Sequence, residues 1–134
     1  MARTPITSPN AAAVGPYSHA VDDGRQVFLS GQTPIDPATG ALHTGDVGQQ
    51  TNQCFDNLFD VLAAADLSPA DVVQVRVYLT DMADFAAMNA AYATRFAEPF
   101  PARTTIGVAS LPMAARVEID CVATRPESAR GGRR

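Results

Sequence analysis

An α+β fold, in the order β-β-α-β-α-β-β with two helices covering one face of a mixed sheet, is predicted by three features of the chain. Two segments carry apolar residues at spacings of three and four, the period of amphipathic helices. Shorter segments alternate apolar and polar residues, the period of half-buried strands. Clusters such as Asp22-Asp23-Gly24 and Asp36-Pro37-Ala38-Thr39-Gly40 punctuate them, and these residue types favour turns. A length of 134 residues, 46% of them hydrophobic, suits one domain around one core.

Residues 1–14 are small, polar and proline-bearing and read as a flexible N-terminal arm. Residues 15–125 read as the folded domain and residues 126–134 as a disordered basic tail. Gly15-Pro16 marks a turn. Residues 17–21 and 25–30 then pair as strands across Asp22-Asp23-Gly24, a hairpin signal. Val47, Thr51, Cys54, Phe55, Leu58, Val61, Leu62 and Ala65 form the apolar face of a first helix, which Ser68-Pro69 ends. Val73, Val75, Val77 and Leu79 alternate with Gln74, Arg76 and Tyr78, giving a strand with one apolar face. Thr80-Asp81 is suited to capping a second helix. Its stripe of Phe85, Met88, Asn89, Tyr92 and Phe96 faces the sheet, and Glu98-Pro99 stops it.

Residues 99–121 carry the densest chemistry. Two strands joined by a loop over residues 109–115 are expected, with Pro101 stiffening the entry. Arg103, Thr105 and Gly107 share one face, and Thr104, Ile106 and Val108 the other. In the second strand Val117, Ile119, Cys121 and Ala123 are the apolar side, opposite Arg116, Glu118 and Asp120. A hairpin here sets Glu118 opposite Thr105, with Gly107 leaving space beside them. The sheet face away from the helices is then read as Gln74, Arg76, Tyr78, Arg103, Thr105, Glu118 and Asp120 beside Val72 and Val122. Such a half-apolar face suggests self-association, with charged groups in clefts between subunits.

Composition excludes several chemistries. The net charge is −4, and residues 125–134 hold four arginines against one glutamate, so the body of the chain is more acidic than the total. That argues against nucleic-acid binding. All ten basic residues are arginines, which removes Schiff-base lysine and phosphate-loop lysine chemistry. Cys54 and Cys121 lie on apolar stripes and read as reduced core residues. His19 and His43 lack partners at ligand spacing, so no metal is expected, and no organic cofactor. No apolar run approaches membrane-spanning length and no leader pattern opens the chain, so a cytoplasmic protein without membrane association is expected.

Gly15-Pro16-Tyr17, Leu29-Ser30-Gly31-Gln32, Asn89-Ala90-Ala91-Tyr92, Phe100-Pro101-Ala102-Arg103, and Leu111-Pro112 followed by Val117-Glu118-Ile119 occur in the order and spacing of the RidA family, also called YjgF or reactive-intermediate deaminases. The chain resembles that family from Gly15 to Arg125. The resemblance implies a chorismate-mutase-like fold and a homotrimer with interfacial sites. It also implies cofactor-independent hydrolysis of enamine or imine intermediates, such as 2-aminoacrylate and 2-iminopropanoate, to 2-keto acids and ammonia. Thr105 stands where the best-known deaminases have cysteine, and Gly107 where many relatives have a larger residue. Both could enlarge the pocket toward a pathway-specific substrate resembling aminomuconate. A non-catalytic ligand-binding or chaperone-like trimer is the other alternative, while the older family labels of ribonuclease and translation inhibitor conflict with the acidic body.

Arginine holds a carboxylate through two parallel charge-assisted hydrogen bonds, which makes Arg103 the candidate substrate clamp. The plainer alternative is a structural ion pair with Glu118 or Asp120. Glu118 is the candidate to activate water or carry its proton, given burial that raises its pKa. Tyr17 is the candidate donor during enamine–imine tautomerisation. The resemblance adds Ser30, Gly31, Asn89 and Thr105 as substrate-binding positions. Ser30 lacks the Gly-x-Ser-x-Gly elbow of a hydrolase nucleophile.

Overall fold

The computed structural model describes residues 2–9 and 15–127. Its main sheet has the strand order β1-β2-β3-β8-β6-β7, in which β1 is Thr4–Ile6, β2 Ala20–Asp22, β3 Gln26–Gln32, β6 Val72–Leu79, β7 Ala102–Gly107 and β8 Val117–Thr124. The short strands β4 (Ile35–Asp36) and β5 (Ala41–Leu42) pair separately around the Asp36–Gly40 turn. Helices α1 (Val47–Ala64) and α2 (Phe85–Ala93) pack on one face, as the periodicity requires. No helix among the described residues is long and apolar enough to cross a membrane.

The local signals act as their chemistry dictates. Asp23 accepts the backbone N–H groups of Arg25 and Gln26 through Oδ1, and Gly24 takes φ +96°, closing the β2–β3 turn. Asp46 caps α1 by accepting from the Gln49 N–H, while the Gln49 side chain accepts from the Asp46 N–H, both at 2.9 Å, a reciprocal capping box. The α1 stripe meets Val27, Val75, Val77, Val117 and Ile119 in the core. Phe55 is fully buried there, a position where truncation to alanine costs about 3–5 kcal/mol. Cys54 and Cys121 are buried and unpaired by disulfide. Burial pushes the Cys54 thiol well above its usual range and Cys121 up to about 12.

Several expectations require correction. Residues 4–6, assigned to the flexible arm, form β1 against β2, pairing Thr4 with Asp22 and Ile6 with Ala20. The rest of the arm at residues 1 and 10–14, and the expected disordered tail from residue 128, lie outside the described residues. A register shift between Val72 and Gln74 buries Val72 and leaves Val73 44% exposed, reversing the faces assigned to these two valines. Most important, β7 and β8 form no hairpin. β6 lies between them, antiparallel to β8 and parallel to β7. The α2 crossover returns the chain to the same end of the sheet, which makes β7 a parallel edge strand. The loop over residues 109–115 then spans two strand spacings of about 4.8 Å each.

Candidate functional site

Strand pairing decides which face each candidate occupies. Arg103 is in register with buried Val75, and Thr105 with buried Val77, so both lie on the helix-covered side of β7. Glu118 is in register with Tyr78 on β6, on the open face. Arg103 and Glu118 are therefore on opposite faces of one sheet, separated by β6, and the expected pairing of Glu118 with Thr105 does not occur.

The candidates divide between two cavities of about 290 Å³ each. The first is lined by Asn89, Tyr92, Ala93, Phe100, Pro101 and Arg103. Its guanidinium stands 4.5 Å from the ring centre of Tyr92 and 5.6 Å from that of Phe85, within cation–π range. Phe85, Asn89 and Tyr92 follow the i, i+4, i+7 spacing of one helix face, so α2 presents all three toward β7. Asn89 faces the edge strand of the sheet, as its stripe predicts, but it is exposed and lines the cavity instead of being packed in the core. Among the described residues no carboxylate pairs with Arg103. Asp120 instead accepts from Arg76 Nε and from the Tyr78 hydroxyl, each at 2.8 Å, so the ion-pair alternative for Arg103 fails within the chain.

The second cavity is lined by Tyr17, Ser30, Gly31, Thr33, Pro112 and Glu118. The β3–β8 register shifts between Leu29 and Gln32, and this irregularity places Ser30 and Gly31 beside Glu118. A Cβ on Gly31 would overlap the Glu118 carboxylate, so the glycine provides the space that the carboxylate occupies. Burial, and then the Asp120 charge, hold the Glu118 pKa above its usual value of 4.5. The Ser30 hydroxyl donates to the Ser18 carbonyl at 2.7 Å, so its proton is committed to the turn. The wall at Pro112 belongs to a strained loop, in which Met113 and Ala114 take φ values of 60° and 57°, a region costly for residues other than glycine.

Thr105 lines neither cavity. Its Oγ1 is buried without a hydrogen-bond partner among the described residues. Beside Gly107 stands Met82, whose Cγ lies 3.1 Å from where a Cβ would stand. Tyr92 and Phe100 are cavity residues that the sequence reading missed as site residues. Tyr92 carries a signal, since it falls one helical turn from Asn89 on the same face, but its apolar neighbours make it read as core. Among the described residues no cluster of His, Cys, Asp or Glu could hold a metal.

Residues 7–125 match the family model described as endoribonuclease L-PSP. A RutC family protein of Pyrococcus horikoshii is 46% identical over 110 residues, 82% of this chain and 87% of that protein. The 2-iminobutanoate/2-iminopropanoate deaminase of Salmonella typhimurium is 41% identical over 128 residues, 93% and 99% of the two chains. The crystal structure of the YjgF gene product from E. coli superposes with a TM-score of 0.87 at 40% identity, covering 92% of this chain and 99% of that one.

Proposed function

The chain belongs to the RidA/YjgF family, and from that premise and the two cavities we propose that it hydrolyses small 2-imino acids to 2-keto acids and ammonia. The observation that carries this reading is Arg103, a guanidinium in a cavity, flanked by rings and paired with no carboxylate among the described residues. An imino acid supplies the missing anion. Its carboxylate accepts two parallel hydrogen bonds from the guanidinium, which fixes the adjacent imine carbon for attack.

The hydrolysis needs one further group, and Glu118 fits it. Water adds through oxygen to the carbon of the protonated imine while Glu118 takes one of its protons, giving a neutral carbinolamine. Glu118 returns that proton to the nitrogen, and as the C–N bond breaks with its electron pair leaving on ammonia, the hydroxyl proton passes back to the Glu118 carboxylate and the keto acid remains. A carboxylate whose pKa is raised by burial is better matched to these transfers near neutrality than an ordinary glutamate. Tyr17, beside it in the same cavity, is placed to donate a proton when an enamine tautomerises to the imine. Asn89 borders the Arg103 cavity, and Ser30 and Gly31 the Glu118 cavity. The acidic charge of the chain favours a small-molecule substrate over nucleic acid.

Because Arg103 and Glu118 lie on opposite faces within one chain, the site is completed between subunits, with Arg103 of one meeting Glu118 of the next. A homotrimer closes such head-to-tail contacts, and the open face offers Phe28 and Ile106, 41% and 44% exposed, as apolar contact area. The test is complementation. Arg103→Ala and Glu118→Ala homotrimers should each release almost no keto acid from enzymatically generated imino acids. After dissociation and reassociation together, mixed trimers should recover activity, since some interfaces pair an intact Arg103 with an intact Glu118. A monomer by light scattering, or no recovery in mixed trimers, rejects the interfacial site. Exhaustive chelation should leave the wild-type rate unchanged.

A further inference from the structure

We propose that Phe85 and Tyr92 act as a cation–π clamp that positions the Arg103 guanidinium in place of an acidic partner, leaving its N–H donors available to a substrate carboxylate. The inference rests on the reading of Arg103 as the carboxylate receptor. It concerns how that receptor is held. Four other arginines are held by carboxylates: Arg76 by Asp120, Arg95 by Asp56, Arg116 by Asp84 and Arg125 by Asp22, at 2.6–2.9 Å. Each such pair uses guanidinium donors and neutralises the charge. An aromatic face attracts the cation through its quadrupole without accepting those donors in the guanidinium plane. Arg95 combines both contacts, lying over Phe55 and Phe59 while pairing with Asp56; Arg103 lies 4.5 Å from Tyr92 and 5.6 Å from Phe85 with no carboxylate paired to it among the described residues.

The two rings are not equivalent. Tyr92 is 5% exposed and fixed edge-on to Phe55 at 5.5 Å and against Phe96 at 5.3 Å, so its ring is a rigid platform. Phe85 is 37% exposed and sits at the N-terminal end of α2, where it can be changed without opening the core. Both lie on the α2 face that carries Asn89. The tyrosine hydroxyl has no hydrogen-bond partner among the described residues, so the contact that Tyr92 makes with Arg103 is through its ring.

The experiment measures the affinity of pyruvate, a short 2-keto carboxylate, by titration calorimetry, with KM and kcat for an imino acid and the Arg103 Nε–Hε resonance as further readouts. Phe85→Leu should weaken pyruvate about fivefold and Tyr92→Leu about tenfold, the range expected for losing a ring under a cation. KM should rise more than kcat falls, and the Arg103 Nε–Hε signal should lose its ring-current shift. Tyr92→Phe should restore the affinity, because the ring and not the hydroxyl is used. In an Arg103→Ala background neither leucine substitution should weaken pyruvate further. Phe85→Leu decides the matter if Tyr92→Leu does not fold. Should Arg103→Ala bind pyruvate like wild type, the receptor reading has failed. Should Arg103→Ala lose pyruvate while Phe85→Leu keeps full affinity and an unmoved resonance, the clamp alone is overturned.

Discussion

The cavity around Arg103 and the cavity around Glu118 have the same volume, about 290 Å³, yet they treat their charged groups in opposite ways. Arg103 is flanked by aromatic rings that favour its charge. Glu118 is desolvated and lies near another carboxylate, and both effects disfavour its charge. One cavity is thus suited to holding an anion of fixed position, the other to accepting and returning a proton. Their placement on two faces of the sheet keeps the guanidinium from neutralising the carboxylate inside one chain. An Arg103–Glu118 ion pair would lower the glutamate's pKa and spend the arginine's donors, and neither group could then serve its proposed role.

Removing the anion receptor should have the largest effect. Arg103→Ala loses a charge-assisted contact, typically worth about 1.5–3 kcal/mol, so kcat/KM should fall at least about tenfold. Arg103→Lys should recover little, because an ammonium reproduces neither the planar fork nor the stacking. The folded assembly should persist. Near-normal keto-acid release by a well-folded Arg103→Ala protein would remove the basis of the comparison.

A smaller effect is expected from Gly31, which tests whether the Glu118 cavity depends on position. Its φ lies outside the left-handed region, so alanine fits the backbone, but the new methyl group overlaps the Glu118 carboxylate and forces it aside. An ångström of misplacement at a reacting group costs up to ~100-fold. Since a flexible glutamate yields partly, Gly31→Ala should lower kcat about tenfold with little change in KM or in pyruvate affinity. An equal loss of pyruvate affinity would mean that the two cavities do not divide binding and chemistry.

How far the sequence carried this arrangement varied with the kind of signal. The α1 stripe, the Asp22–Gly24 turn and the alternation of β8 were legible because each follows a local period or a local hydrogen bond. Alternation also grouped Arg103 with Thr105 and Glu118 with Asp120, which the structure keeps. It could not tell which group faces the helices. β7 has a weak apolar contrast, Arg103 and Thr105 on one side against Thr104 and Ile106 on the other, so tertiary pairing chooses. Nor does a loop over residues 109–115 reveal that it passes over β6 instead of turning back beside β7. The Val72–Val73 inversion has the same origin, since a register shift leaves no mark in a run of valines. β1 escaped notice because three residues are too few to show a period. The hairpin reading set Arg103 beside Glu118 on one face, whereas the strand order puts β6 between them and their side chains on opposite faces.

The smallest expected effect concerns stability and the sign of its pH dependence. Burial raises the Glu118 pKa in the folded protein above 4.5, the value of an ordinary glutamate. Below pH 4.5 the group is protonated in both folded and unfolded chains and adds no pH-dependent term. As pH rises past 4.5 the unfolded chain ionises first, while the folded protein ionises only at its higher pKa and then bears the desolvation cost. Stability contributed by the neutral form is therefore fully present below the unfolded pKa and lost above the folded one. Glu118→Gln keeps the shape without the charge, so it should raise Tm at pH 7 and leave it unchanged near pH 4. The gain should be about 1–2 °C, because solvent reaches part of the side chain and a full 1 kcal/mol moves a domain of this size by about 4 °C. Arg103→Gln should show no such crossover, since an arginine stays charged across the whole range. A Tm difference for Glu118→Gln that is the same at both pH values would show that the folded protein does not raise the carboxyl's pKa, and the contrast between the two cavities would then rest on geometry alone.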